Sequence, residues 1–239
     1  MTEARRPLAI SNVLTAHAGG TTFWSMPKDV ESLKSWAREH ITWFGQSAFR
    51  ITTAGSRVFI DPFRVPGSAG PATLILVTHP HPDHYDTVAI AGLRGQDTEV
   101  VLPMSCAVPG QKGMAPGQTE TIRGIKITGV VSYNVAKRFH PRSGLWLGYV
   151  VEVDGLRIYH AGDTDPLPEM AGLRPDIALL PIGGMFTMNW KAAADLQRSL
   201  GALLAIPMHY NMLIGGRGAG ARFARAVGAG ALVLQRERK

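Results

Sequence analysis

Residues 74–84 read Leu74-Ile75-Leu76-Val77-Thr78-His79-Pro80-His81-Pro82-Asp83-His84, and the two halves carry different information. The first half is an unbroken apolar run. A strand with one wet face alternates, so this pattern predicts a strand buried on both faces, as in the parallel part of an α/β sheet. The second half places three imidazoles and a carboxylate within six consecutive positions, at the end of that strand. His and Asp suit zinc and its first-row neighbours. Alternate residues of an extended segment point the same way, so His79 and His81 project together, and Asp83 and His84 can face a second position beside them. Pro80 and Pro82 lack N–H donors and fix φ, which predicts a rigid extended loop here and argues against a helix. The plain alternative, a solvated His-rich loop, leaves the density of ligands at a strand end without a cause.

Upstream, residues 41–44, 48–51 and 57–60 are short β-type runs separated by Gly-containing turns, the pattern of a meander. Residues 1–40 read as an N-terminal extension: a polar lead-in, then a short helix over 30–40 with Val30, Leu33 and Trp36 at helical spacing. Downstream, strands are expected at 99–102, 125–131, 148–153, 157–159 and 177–180, and helices at 190–200 and 219–227. Residues 41–239 then read as one compact domain, with no fixed-period repeat and no linker.

The 239 residues are 45% hydrophobic and 18% charged, which excludes a disordered chain. The formal charge of +7 tilts the surface toward anionic partners, but no dense Lys/Arg block marks a nucleic-acid platform. A lone Cys106 excludes an intrachain disulfide. No signal-peptide pattern or membrane-length apolar run is present, so a cytoplasmic location is expected.

The motif His-x-His-x-Asp-His after an apolar strand resembles the metallo-β-lactamase superfamily. The resemblance extends from about residue 41 to 211: Trp43-Phe44-Gly45-Gln46-Ser47-Ala48-Phe49, Ile60-Asp61-Pro62-Phe63, Tyr159-His160-Ala161-Gly162-Asp163-Thr164 and Ile206-Pro207-Met208-His209-Tyr210 follow in the order of its later signatures. Within the superfamily they are similar to the branch containing L-ascorbate-6-phosphate lactonase and N-acyl-phosphatidylethanolamine phospholipase D. The resemblance implies a four-layer αββα sandwich with one or two divalent metal ions, zinc first, with manganese or iron as alternatives. It also implies that His79 and His81 serve a first metal position, that Asp83, His84 and His209 serve a second, and that Asp163 bridges them.

Two positions depart from the pattern. Where the family supplies a third histidine to the first position, this chain has Asn134, so either its amide oxygen or His140, six residues later, must fill the place; the imidazole is the better ligand for a borderline metal. Gln46 stands where relatives commonly carry His, which puts one supporting hydrogen bond in doubt. His160 is expected to alternate away from the ligands, as a supporting or core residue. Tyr133, Tyr159, Tyr210 and Met185 are read as packing or cavity lining rather than catalytic groups.

The chemistry expected is hydrolysis of an ester, lactone or phosphodiester by a metal-bound hydroxide, with Asp163 orienting the bridge and Asp83 relaying a proton to the leaving group. A small, anionic or phosphorylated substrate is expected, and no stable nucleic-acid partner. The oligomeric state is left open. The competing readings are a nucleic-acid-processing phosphodiesterase, a redox metalloprotein on the same fold, and a metal-binding protein without hydrolytic activity.

Overall fold

The computed structural model describes residues 29–216 and 218–237, so the expected lead-in over residues 1–28 lies outside the described residues. Helix α1 (Val30–His40) starts on Asp29, whose side chain accepts from the Ser32 amide at 2.8 Å. Its apolar stripe, Leu33, Trp36 and Ala37, is buried in the same core as both sheets. The helix of the N-terminal extension is therefore packed into the body of the fold.

The first sheet runs β1 (Ile41–Gly45), β2 (Ala48–Thr53), β3 (Ser56–Ile60), β4 (Ala72–Leu76), β5 (Arg94–Pro103), β6 (Lys112–Met114), in that spatial order. β1 to β3 form the antiparallel meander, and β3 to β6 are parallel. The second sheet contains β7 (Thr119–Ile122), β8 (Ile125–Val131), β9 (Leu147–Val153), β10 (Leu156–His160), β11 (Ile177–Pro181) and β12 (Leu204–Met208). Its strands are antiparallel from β7 to β10 and parallel from β10 to β12.

Side-chain alternation along β4 shows why its sequence does not alternate. Leu74 and Leu76 enter the large core shared with the second sheet, while Ile75 and Val77 enter a separate core with Ile90 and Leu93 of α2 (Thr87–Leu93). Both faces are covered, so both need apolar side chains. Helices α3 (Trp190–Leu200) and α4 (Ala219–Val227) pack on β11 and β12. The result is the expected αββα sandwich. Among the described residues no helix is long and apolar enough to cross a membrane.

The C-terminal ends of β4, β10 and β12 open onto one edge, where the sheets are joined by hydrogen bonds. The Leu147 amide donates to the Thr78 carbonyl at 3.0 Å, and the His209 amide to the Gln46 carbonyl at 2.8 Å. Open α/β folds place their ligands at such carboxyl ends.

Candidate metal centre

The loop after β4 is extended only at its start. His84 N and Tyr85 N both donate to the His81 carbonyl, at 2.9 and 2.8 Å, so residues 81–85 close one hydrogen-bonded turn. This corrects the expected extended loop. Pro82 sits early in the turn, where no N–H is required of it, as at the first turn of a helix. The turn returns His84 to the side of His79, with ring centroids 4.0 Å apart.

Three of the buried imidazoles, those of His79, His84 and His140, are held through Nδ1. Asp61 follows β3 and is fully buried; its carboxylate accepts from the Thr78 amide at 2.7 Å and the Thr78 hydroxyl at 2.6 Å, and lies 2.6 Å from His84 Nδ1. With its proton given to Asp61, the Thr78 hydroxyl accepts from His79 Nδ1 at 2.9 Å. His140 Nδ1 lies 2.9 Å from Asn134 Oδ1. This pattern assigns the Nδ1 protons of His79, His84 and His140 to second partners and turns their Nε2 atoms inward.

The inward atoms converge. His79 Nε2 lies 3.1 Å from His81 Nδ1. Asp163 Oδ2 lies 3.4 Å from His140 Nε2, 3.5 Å from His84 Nε2 and 2.9 Å from His209 Nε2. Asp83 Oδ2 is 3.7 Å from His84 Nε2 and 3.9 Å from His209 Nε2. Ligand bonds of about 2.0–2.1 Å in a tetrahedral shell put donor atoms about 3.3–3.4 Å apart, close to several of these separations. The residues form three overlapping groups able to hold an ion: His79, His81 and His140; His79, His84 and Asp163; Asp83, His84 and His209. His84 Nε2, His140 Nε2 and Asp163 Oδ1 are buried without hydrogen-bond partners. Such polar atoms are costly to bury unless something pairs with them, and a cation would do so.

Electrostatics favours the same use. Burial holds His79 well below the ordinary imidazole range, lowers His81, and lowers His140 to about 4, so these rings present neutral lone pairs. Burial would also lower His84, but the Asp163 and Asp61 carboxylates outweigh it and hold His84 well above its ordinary value. For Asp163 burial acts upward, and His209 with His84 overcomes it, leaving the carboxyl well below its usual range.

Asp163 reaches this position because Gly162 adopts φ +64; a Cβ there would lie 2.9 Å from the Leu147 carbonyl oxygen. Gln46, also at positive φ, donates from its amide to Asp83 Oδ2 at 2.8 Å and lies 2.9 Å from His209 Nε2. Gln46 thus makes a supporting hydrogen bond of its own to Asp83. His160 points away from the centre: its Nε2 lies 2.9 Å from the Ser47 carbonyl, while its Nδ1 accepts from the Gly162 amide at 3.2 Å. Tyr133, Tyr159 and Tyr210 are buried packing residues and Met185 is exposed. Sequence reading did not assign Asp61 or Trp146 a role; Trp146 stacks against His79 at 5.1 Å and meets His140 edge-on. The centre opens into a cavity of about 510 Å³ at His81, Asp83, His140, Asp163 and His209.

A family profile for the beta-lactamase superfamily domain matches residues 40–209. A UPF0173 metal-dependent hydrolase of Thermococcus onnurineus is 37% identical over 190 residues, spanning 72% of this chain and 84% of its own. A crystal structure from Parabacteroides distasonis superposes with a TM-score of 0.73 at 30% identity, covering 81% of this chain and 90% of that one. A metallo hydrolase from Ignicoccus hospitalis gives 0.70 at 27% identity, covering 83% and 95%.

Proposed function

The chain belongs to the UPF0173 metal-dependent hydrolases of the metallo-β-lactamase superfamily, and on that premise we propose that it cleaves an ester, lactone or phosphodiester bond of a small molecule at this centre. The observation that carries the reading is the position of Asp163 Oδ2, 2.9–3.5 Å from imidazole nitrogens of His140, His84 and His209. One carboxylate oxygen thereby joins the His79, His81, His140 set to the Asp83, His84, His209 set. We assign the first set to one divalent cation, the second to another, and Asp163 to both. Zinc suits the imidazole-rich first set, and the two carboxylates leave room for manganese or iron.

Divalent cations held by these residues would lower the pKa of bound water toward neutrality and would polarise the bond to be cleaved. The protein's own part is orientation. Asp163 is held ionised by His209 and His84, and Asp61 and Asn134 fix the rings of His84 and His140. Asp83, partly exposed on the cavity and hydrogen-bonded by Gln46, is placed to carry a proton to a leaving oxygen. The motifs' likeness to the ascorbate-phosphate lactonase and phospholipase D branch supports oxygen-ester chemistry.

The test is metal analysis of protein purified without added metal, followed by turnover of chromogenic esters, lactones and phosphodiesters before and after chelation. One to two first-row ions per chain and chelator-sensitive turnover are expected. Full activity in metal-free protein overturns the reading.

A further inference from the structure

We infer that the substrate is a carboxylic ester or lactone with an apolar acyl arm, and that this arm lies between Phe63, Phe139, Phe186 and Leu213; the inference rests on the hydrolase reading above. These four side chains line the same cavity as the metal-centre residues. They come from four separate segments, following β3, β8, β11 and β12. Convergence of apolar groups from so many loops onto one charged centre is unlike the incidental exposure of a single leucine.

Phe139 and Phe186 meet edge to face with centroids 4.6 Å apart, joining the loop that carries His140 to the loop after β11. Phe139 is nonetheless 47% exposed and Leu213 55%. Val135 and Met185, on the same two loops, are more exposed still. A clustered apolar rim around a cavity of about 510 Å³ has the size and character of a small-molecule pocket.

Charge argues the same way. Apart from histidines, Arg64 is the one basic side chain among the described residues lining the cavity, and its guanidinium lies over the Phe63 ring, 4.9 Å from the centroid. A nucleic-acid strand calls for a track of Lys and Arg along its phosphates, and no such track is present among the described residues lining this cavity. In the step inferred, water adds to the acyl carbon, the acyl C–O bond breaks, and the water's proton passes to the departing oxygen, giving an acid and an alcohol, or a hydroxy acid from a lactone.

The experiment uses the metal-loaded full chain with p-nitrophenyl acetate, butyrate and octanoate, γ-lactones of short and long side chain, and bis(p-nitrophenyl) phosphate. It also measures calorimetric binding of the product acids acetate and octanoate. Each buried methylene is expected to raise kcat/KM about two- to fourfold, and octanoate to bind at least about tenfold tighter than acetate. Phe139→Ser and Leu213→Ser should flatten both trends at unchanged metal content. Metal-dependent hydrolysis that is flat in chain length, or preference for the phosphodiester, overturns the inference and leaves the hydrolase reading standing. Octanoate binding no tighter than acetate overturns it whether or not any ester turns over, whereas loss of all chelator-sensitive turnover counts against the hydrolase reading itself.

Discussion

His140 Nδ1 lies 2.9 Å from Asn134 Oδ1, and Nε2 of the same ring lies 3.4 Å from Asp163 Oδ2. The residue in the expected histidine position therefore lies within hydrogen-bond distance of the histidine six places later, with the other nitrogen of that ring turned toward Asp163. The Asn134 amide also donates to the His140 carbonyl at 2.8 Å, closing the loop, and Asp165 anchors it through the Val135 amide at 3.0 Å and Lys137.

This arrangement sets the order of effects at the first metal position. His140→Ala removes a proposed ligand and should weaken zinc binding there by more than about 100-fold, whereas Asn134→Ala removes only its support and should cost about 10- to 100-fold. Competition titration with a chromogenic chelator reads both. Tighter binding in Asn134→His with no loss in His140→Ala would place the amide, not the imidazole, at the metal.

Acid should destabilise the metal-free protein. His140 titrates near 4 when folded and near 6.5 when unfolded, and His79 and His81 are shifted the same way, so between these values the unfolded chain binds more protons. Stability therefore falls as pH drops from about 6.5 toward 4. His84 does not offset this, because its folded pKa is raised: its contribution is already fully present below 6.5 and is lost only as pH rises through the folded value. A Tm for chelator-treated protein that falls by at least about 5 °C across the window is expected; a flat profile would mean that the three rings are not held neutral.

The opposite shifts of His84 and the first triad also predict unequal proton release. At pH 7 His79, His81 and His140 are already neutral and should load metal without releasing protons. His84 is held protonated by Asp163 and Asp61 and must lose its proton before Nε2 can bind, so filling the second position should release on the order of one proton. Calorimetry in buffers of different ionisation enthalpy separates the two phases, and equal release in both would contradict the assignment.

Much of this was legible in the sequence because the signals were local. The ends of α1, α3, α4 and β8 fall where periodicity and turn residues put them, and β4 could be read as buried on both faces from composition alone. What escaped was set by distance. Asp61 acts on Thr78 and His84 because β3 and β4 are parallel neighbours, yet it is separated from them by 17 and 23 residues. Gln46 reaches Asp83 across 37 residues and His209 across 163. The seven-residue α2 was missed because it is short and its start is fixed by the Asp86 cap, which accepts from the Val88 and Ala89 amides, rather than by a long apolar period.

Asp61 and His160 offer the sharpest contrast between supporting the metal and supporting the fold. Both are fully buried, and both have partners on other strands or loops. Asp61→Ala leaves the Thr78 amide, the Thr78 hydroxyl and His84 Nδ1 without their acceptor, so it should cost about 3–5 kcal/mol of stability and lower metal affinity about 10- to 100-fold. His160→Ala loses the hydrogen bond to the Ser47 carbonyl, the acceptor of the Gly162 amide and the edge contact with Phe49, which should cost about 2–4 kcal/mol, but it frees no nitrogen of the centre. Its metal stoichiometry should equal wild type. Denaturant unfolding and metal analysis of the two variants side by side decide the matter: equal metal loss would put His160 in the centre, and unchanged metal affinity in Asp61→Ala would show that His84 needs no partner to present Nε2.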